Sequence, residues 1–377
     1  MGKYRFDEIA INSTQKKKPI EEDRFHYVGL EHIDPECFEI QQYGSEVAPV
    51  GEKLVMKKGD ILFGKRRAYQ RKVAIAPCDG IFSAHGMVLR PKTGVIDSSY
   101  FPFFISSDTF METAIRISVG GLSPTINWKD LAKQEFELPS LEEQKNLADK
   151  LWAAYRLKEA YKKLLIATDE MVKSQFIEMF GNPLSLNQKN ELKRLGECCI
   201  LNPRRPNIAL CDTDKVSFIP MPAVSEDGYL VDMTDEEYGK VKKGFTYFEN
   251  NDVLFAKITP CMENGKGAIV HGLTNGIGMG STEFHVLRPI NGISSPYWLL
   301  ALTRMPIFRE RAAKNMSGTG GQKRVSASYL DHFMVGLPAI EEQRRFEAIY
   351  RQADKSKFEL KQCIENIDKV IKSLING

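Results

Sequence analysis

The sequence predicts a mixed α/β (α+β) chain in which one plan is written twice, a domain with a small sheet and then a long helix. Three observations predict it. Leu138-Pro139-Ser140-Leu141-Glu142-Glu143-Gln144 returns as Leu337-Pro338-Ala339-Ile340-Glu341-Glu342-Gln343, a shift of 199. Further anchors keep the same order at nearby shifts: Val88-Leu89-Arg90-Pro91 with Val286-Leu287-Arg288-Pro289, Asp60-Ile61-Leu62-Phe63 with Asp252-Val253-Leu254-Phe255, and Arg5-Phe6-Asp7-Glu8 with Arg194-Leu195-Gly196-Glu197. After each Glu-Glu-Gln comes a stretch without Gly or Pro whose apolar residues recur at helical spacing. A period this long exceeds the roughly 20 to 50 residues of a solenoid unit, so the 377 residues read as two ordinary domains with a helix after each.

Each half mixes short apolar strand-like runs with turn chemistry. Val73-Ala74-Ile75-Ala76 stops at Pro77, Gly86-Met87-Val88-Leu89 runs into Arg90-Pro91, and Phe284-His285-Val286-Leu287 runs into Arg288-Pro289. Helical stretches are expected over 100–117 and 297–314. The first domain is placed at 1–140, a central helix at 141–180, the second domain at 181–339 and a closing helix at 340–377.

The closing helix carries a seam of Phe346, Ile349, Ala353, Ser356, Leu360, Cys363, Ile367, Val370 and Leu374, alternating three and four apart, which is a heptad pattern. The equivalent seam of the central helix is Leu147, Lys150, Ala154, Leu157, Tyr161, Leu164, Thr168, Met171 and Gln175, widened by Leu151, Leu165 and Val172. Two stripes that match position by position are expected to pair with each other. About 30 to 35 residues give each helix roughly 50 Å at 1.5 Å per residue. Gly181-Asn182-Pro183 is the expected stop of the first.

Composition is ordinary for a globular chain, with 42% hydrophobic and 27% charged residues, and it argues against disorder. No apolar run reaches the roughly 18 to 20 residues of a membrane span, and the first twenty residues lack a secretion signal, so a cytoplasmic protein is expected. Seven cysteines with no CxxC read as reduced thiols. A net charge of +3 confines any nucleic-acid site to a local patch.

The chemistry of enzymes is missing from the sequence. The six histidines form no HxxxH or HExxH pair, Gly276-Ile277-Gly278-Met279-Gly280 fails as a dinucleotide fingerprint, and no GxSxG elbow occurs. Asn202-Pro203-Arg204-Arg205 lacks the aromatic of an adenine methyltransferase motif, and a base-flipping enzyme needs such a ring to stack on the extruded base. No catalytic, metal or cofactor residues are therefore expected in this chain.

Two pairs of loops carry the binding chemistry. Basic and aromatic residues interleave in Lys65, Arg66, Arg67, Tyr69, Gln70, Arg71 and Lys72; guanidinium forks suit guanine edges and phosphates, ammonium groups suit phosphates, and Gln reads adenine. The corresponding region of the second half offers Lys257, Thr259 and Lys266, a different chemistry. Before each Leu-Pro lies a loop of small residues, with Gly120, Gly121, Ser123 and Thr125 in one half and Ser317, Gly318, Thr319, Gly320, Gln322, Lys323 and Arg324 in the other. Small residues let backbone amides approach a phosphate closely. If both halves contact DNA, they read different sequences.

With these residues in view, the chain resembles the specificity subunit of type I restriction-modification enzymes, on the duplicated Leu138-Pro139/Glu142-Glu143-Gln144 and Leu337-Pro338/Glu341-Glu342-Gln343 signature and over its whole length. The resemblance implies two target-recognition domains held apart by an antiparallel coiled coil in a pseudo-twofold arrangement, each reading one half of a bipartite double-stranded DNA site. It also implies two modification subunits that methylate adenine N6 and restriction subunits that translocate and cleave. S-adenosylmethionine, ATP and Mg then belong to those partners. Half-sites one helical turn, about 34 Å, apart fit helices of that length. The alternatives are the recognition module of a related methyltransferase-nuclease system, and a coiled-coil scaffold that binds no DNA.

Overall fold

A computed structural model describes residues 2–181, 191–319 and 321–376. Two compact units emerge: the first takes residues 1–163 and 361–377, the second 164–360. Each unit thus owns one globular portion and a stretch of both long helices.

In the first unit the strand Gly2–Arg5 pairs antiparallel with Glu135–Leu138. An antiparallel sheet follows in the order Ala10–Ser13, Met87–Pro91, Ile61–Phe63, Val73–Ile75. A second sheet runs Lys16–Lys17, Lys53–Met56, Gly80–Phe82, Tyr27–Val28, with its last pair parallel. The second unit repeats this. Glu191–Arg194 pairs with Met334–Leu337, one sheet orders Cys199–Leu201, Phe284–Pro289, Val253–Ala256, Gly267–Ile269, and another orders Thr234–Glu237, Lys215–Ile219, Ile277–Gly280, Thr246–Glu249. The parallel pair recurs between Lys215–Ile219 and Ile277–Gly280, but the extra edge strand joins the opposite side of the three-strand core.

The helical stretches expected over 100–117 and 297–314 each break into two. Ser107 ends Phe101–Ser106 and caps Asp108–Arg116 by accepting from the Phe110 amide, while Pro306 opens Pro306–Lys314 after Pro296–Arg304. A hydroxyl acceptor and a proline both favour a new helix start over continuation.

Most of the repeated anchors are repeated contacts. Arg90 forks onto the buried carboxylate of Asp60 at 2.7 and 2.8 Å, and Arg288 onto Asp252 at 2.8 Å twice. Bidentate guanidinium-carboxylate geometry is the strong form of such a pair. The Arg5 amide donates to Glu8 at 2.7 Å, as the Arg194 amide does to Glu197 at 2.8 Å. In the first copy of the signature, Glu143 accepts from the Ser140 amide at 2.9 Å while the Glu143 amide reaches the Ser140 hydroxyl, a capping box; the second copy has Ala339 in place of the serine. Gln144 is buried; it donates to Val95 O and Pro139 O and accepts from the Asp97 amide. Gln343 does the same with Ile293 O, Pro338 O and the Ser295 amide.

The long helices span Leu141–Phe180 and Ile340–Asn376, 40 and 37 residues. Gly181, at φ +69°, takes the left-handed position after the first; Asn182 and Pro183 lie outside the described residues. The helices pair antiparallel. In the second unit the stretch from Asp169 to Phe180 runs against the stretch from Lys357 back to Phe346, with Phe176 and Phe180 ring centroids 5.2 and 5.5 Å from Phe346. In the first unit Ile371, Leu374 and Ile375 pack on the core that holds Leu151 and Tyr155.

The buried stripe of the first helix sits one residue away from the expected seam and takes in two of its expected widening positions, Leu151 and Val172. Leu157, Leu164 and Met171 are exposed, and the buried stripe is Gln144, Ala148, Leu151, Tyr155, Lys158, Val172, Phe176 and Phe180. The reason is that each helix faces its own globular portion as well as its partner, so large aromatics choose the inward direction. Val370, expected in the second seam, is likewise exposed. A fully buried Phe such as Phe346 contributes about 1.5–3 kcal/mol by leaving water. Among the described residues no helix is long and apolar enough to cross a membrane.

Candidate nucleic-acid interface

The two expected loops of each half meet in a single frame. In the first unit the backbone of 65–67, just past the strand Ile61–Phe63, lies against 124–126. The Arg67 amide donates to Pro124 O at 2.8 Å, the Ile126 amide to Lys65 O at 2.9 Å, and Arg66 bridges Thr125. Val119 and Thr125 exchange both backbone bonds, which closes the loop on itself. The second unit repeats the frame bond for bond: the Thr259 amide donates to Lys323 O, the Val325 amide to Lys257 O, Ile258 bridges Arg324, and Ser317 exchanges bonds with Arg324. Neither loop of a pair carries this geometry in its own sequence. It comes from the packing of the strand end against the segment before Leu-Pro.

The side chains on the two frames differ. In the first unit Arg67 and Arg71 both take left-handed backbone, φ +55° and +52°, on either side of the turn Ala68–Gln70. Non-glycine residues rarely hold that conformation without a structural reason. For Arg71 the reason is an anchor: its guanidinium donates to Ser106 O at 2.9 Å and Asp108 Oδ1 at 2.6 Å. Lys72 is similarly held, its ammonium 2.6 Å from Leu30 O. Arg67 is exposed and its Nε donates to Ser123 Oγ at 3.2 Å; Tyr69 is exposed, and Arg66 and Gln70 are half-buried. Lys65 is half-buried, and burial, with Lys16 nearby, pulls its pKa below the usual lysine range. Desolvation next to a like charge makes that ammonium a ready partner for an anion. Gly120, at φ +115°, and Gly121 are exposed at the loop tip.

In the second unit the cations move to the other loop. Lys323 and Gln322 are exposed, as are Ser317 and Thr319. Arg324 is forked onto Glu283, with bonds of 2.9 and 2.7 Å, and this guanidinium holds the carboxyl below the usual range. Gly318, at φ +130°, stands where a Cβ would come within 2.5 Å of Gln322 O, so the turn needs glycine there. Lys257, Thr259 and Lys266 are half-buried along the facing loop, and Gly320 lies outside the described residues. His285 ties the frame to the sheet. One ring nitrogen sits 2.9 Å from Val325 O and the other 3.0 Å from the Asn202 amide, and burial pushes its pKa down.

Sequence reasoning missed the polar pairs inside the helices. Lys158 and Lys357 are almost wholly buried and bridge Asp368 and Asp169. A lysine is ordinarily assigned to the solvent face. Their spacing of 199, shared by Asp169 and Asp368, was the available signal. Among the described residues no cluster of three or more His, Cys, Asp or Glu could hold a metal ion.

The type I restriction modification DNA specificity domain matches this chain twice, over residues 8–167 and 187–369. The specificity subunit of the EcoAI type I restriction enzyme of Escherichia coli is 43% identical over 136 residues, 36% of this chain and 23% of that protein. That of EcoEI, from the same organism, is 37% identical over 166 residues, 43% of this chain and 27% of that protein. The matches thus span about a quarter of the length of these relatives. Among solved structures, a chain from a study of assembly and conformational transition in a type I restriction-modification system superposes with a TM-score of 0.58 at 16% identity, covering 99% of this chain and 96% of its own. The S subunit of a type I system from M. genitalium superposes at 0.57 with 14% identity, covering 99% and 94%. At such identities the likeness is one of fold. With two matched domains covering nearly the whole sequence, the chain belongs to the type I restriction-modification DNA specificity family.

Proposed function

We propose that this chain is the non-catalytic DNA-recognition subunit of a type I restriction-modification system, and that it reads an asymmetric bipartite site. The observation that carries the reading is the duplicated two-loop frame, identical in its backbone bonds and different in its side chains. A common frame suits a common task, approach to a duplex, while different cations suit different bases. Residues 1–140 and 181–339 are the two target-recognition domains, and 141–180 and 340–377 the conserved helices.

In the first half Lys65, Arg66, Arg67, Tyr69 and Gln70 face the DNA, with the 120–125 loop at the backbone. In the second half Lys257, Thr259, Lys266, Gln322 and Lys323 do so, with Ser317, Gly318 and Thr319 beside them. Arg71, Lys72 and Arg324 support these surfaces through Asp108, Leu30 and Glu283. The partners are two modification subunits and the restriction subunits, which bring S-adenosylmethionine, ATP and Mg. The work is done in the cytoplasm.

Mapping methylated adenines in the source genome, with and without this gene, tests the proposal. The expected result is an asymmetric bipartite motif that vanishes on deletion. Alanine at Arg66 and Arg67 should relax one half of that motif and leave the other intact. A methylation pattern unaffected by deletion would overturn the reading.

A further inference from the structure

Leu122 is 97% exposed, the extreme among the large apolar side chains of the described residues, and it stands at the tip of the loop that closes on Arg66 and Arg67. Its surroundings hold it there. Gly120 turns with φ +115°, Gly121 has nothing within 4 Å of a would-be Cβ, and Pro124 follows Ser123. The base of the tip is fixed by the bonds between Val119 and Thr125, the Arg67 amide to Pro124 O, and Arg67 Nε to Ser123 Oγ at 3.2 Å. A large aliphatic group is thus presented on a narrow, glycine-flanked finger whose base is clamped to an exposed arginine. Val119, 57% exposed, lies on the same loop.

We infer that Leu122 is a wedge that enters the base stack at one step of the half-site read by the first unit. Proteins that insert Leu, Phe, Ile or Met between base pairs unstack the step and kink the duplex, and they combine the wedge with cationic and polar side chains that contact the groove. Arg67, exposed, and Arg66, half-buried, stand together at the base of the Leu122 loop, within the same surface. Sequence preference then follows at a step that no hydrogen bond reads, because flexible pyrimidine-purine steps open more easily than others. Counted back from the closing bond at Arg324, in a loop one residue longer, the second unit has Gly321 in place of Leu122, with no side chain to insert. The distortion therefore falls in one half-site and leaves the other straight. This inference rests on the proposed DNA-reading role.

The test uses the full chain in complex with its modification subunits, on duplexes carrying the mapped motif with 2-aminopurine at successive positions. The wild-type complex should brighten 2-aminopurine at one step inside the first unit's half-site, apart from the adenines to be methylated, and at no such step in the other. Leu122→Ala should abolish that signal and weaken binding about tenfold, Leu122→Phe should keep it, and the signals at the target adenines should persist in both. An unchanged signal in Leu122→Ala, or no unstacked step in a wild-type complex that binds its motif specifically, would refute the wedge and leave the DNA-reading role standing. A complex with no preference for the motif would sink both.

Discussion

Lys158 reaches across the helix pair to Asp368 at 2.5 Å, and the duplication carries this pair onto Lys357 and Asp169, at 2.8 Å, with the partners' helices exchanged. Each bridge lies within one unit, and each ammonium is almost wholly buried. In the second unit Asp354 adds a carboxylate 3.4 Å from Lys357 and also accepts from the Tyr229 hydroxyl at 2.7 Å. A buried charge among apolar neighbours is costly unless matched, so it penalises every helix register except the one that brings Asp opposite.

Removing one partner should therefore cost more than removing both. Lys357→Ala should destabilise the protein by about 1–3 kcal/mol, below the ~3–5 of a fully enclosed pair because Asp169 is partly open to water. Lys357→Met combined with Asp169→Leu should recover most of that loss. Urea unfolding of the double-mutant cycle checks it; additive effects would mean the two side chains do not interact.

The signature glutamines should behave as buried staples. Gln343→Ala strands two carbonyls and the Ser295 amide, each formerly satisfied. The expected cost is about 2–3 kcal/mol, since an unpaired buried polar group forfeits its desolvation energy. Gln343→Glu should be worse than Ala, because a carboxylate would face Ile293 O and Pro338 O. Midpoints of thermal or urea unfolding decide, and a Glu variant as stable as wild type would show that the site is wet.

These contacts also show what the sequence made legible. Repeated motifs announced repeated contacts: Asp60 with Arg90, Asp252 with Arg288, and Gln144 and Gln343 at the helix starts all sit in segments that the repeat marks. The existence of the helices and their pairing were within reach for the same reason, while the antiparallel direction came only with the family resemblance. The seam itself was not, because periodicity reports that a stripe exists, while the direction it faces is decided by aromatics such as Tyr155 and Phe176 packing onto a domain the helix pattern does not contain. The candidate loops were legible by composition. That Arg71 and Arg324 would be engaged by Asp108 and Glu283 was not, since their acceptors lie 37 and 41 residues away.

Thiol reactivity should separate the cysteines into two groups. Burial, then Glu197, pushes Cys198 up to about 12, and burial with Cys198 beside it pushes Cys199 higher still. The thiolate is the reactive species, so both should resist alkylation in the folded protein. Cys211 and Cys363 are exposed and should react first. Mass-spectrometric footprinting at neutral pH, with and without denaturant, tests this; rapid native labelling of Cys199 would contradict its burial.

His285 should make the second unit acid-sensitive. Burial lowers its pKa below the ordinary 6.5, so the folded state holds the ring neutral while the unfolded chain takes up a proton near that pH. Below about pH 6.5 the unfolded state binds more protons, and stability falls as pH falls; above it both states are neutral and the contribution is constant. His271, also lowered by burial and then by Arg351, adds in the same direction. Urea midpoints between pH 7.5 and 5.0 should drop less steeply in His285→Gln than in wild type, and parallel slopes would remove His285 from the account.

Salt dependence should distinguish the arginines proposed to contact DNA from those that hold the loop. Replacing Arg66 and Arg67 by alanine should leave stability near wild type and weaken DNA binding by the whole complex. The slope of log affinity against log salt should become shallower by about one for each phosphate that is no longer neutralised. Arg71→Ala removes the anchor to Ser106 and Asp108, so its effect should appear first as lower stability, by about 1–2 kcal/mol. Any weakening of binding it causes should follow from a loosened loop, with the salt slope unchanged. Affinities at several salt concentrations, beside unfolding midpoints for each variant, give both readouts. If Arg71→Ala flattened the salt slope as much as Arg66→Ala, its guanidinium would have to leave Asp108 for the duplex.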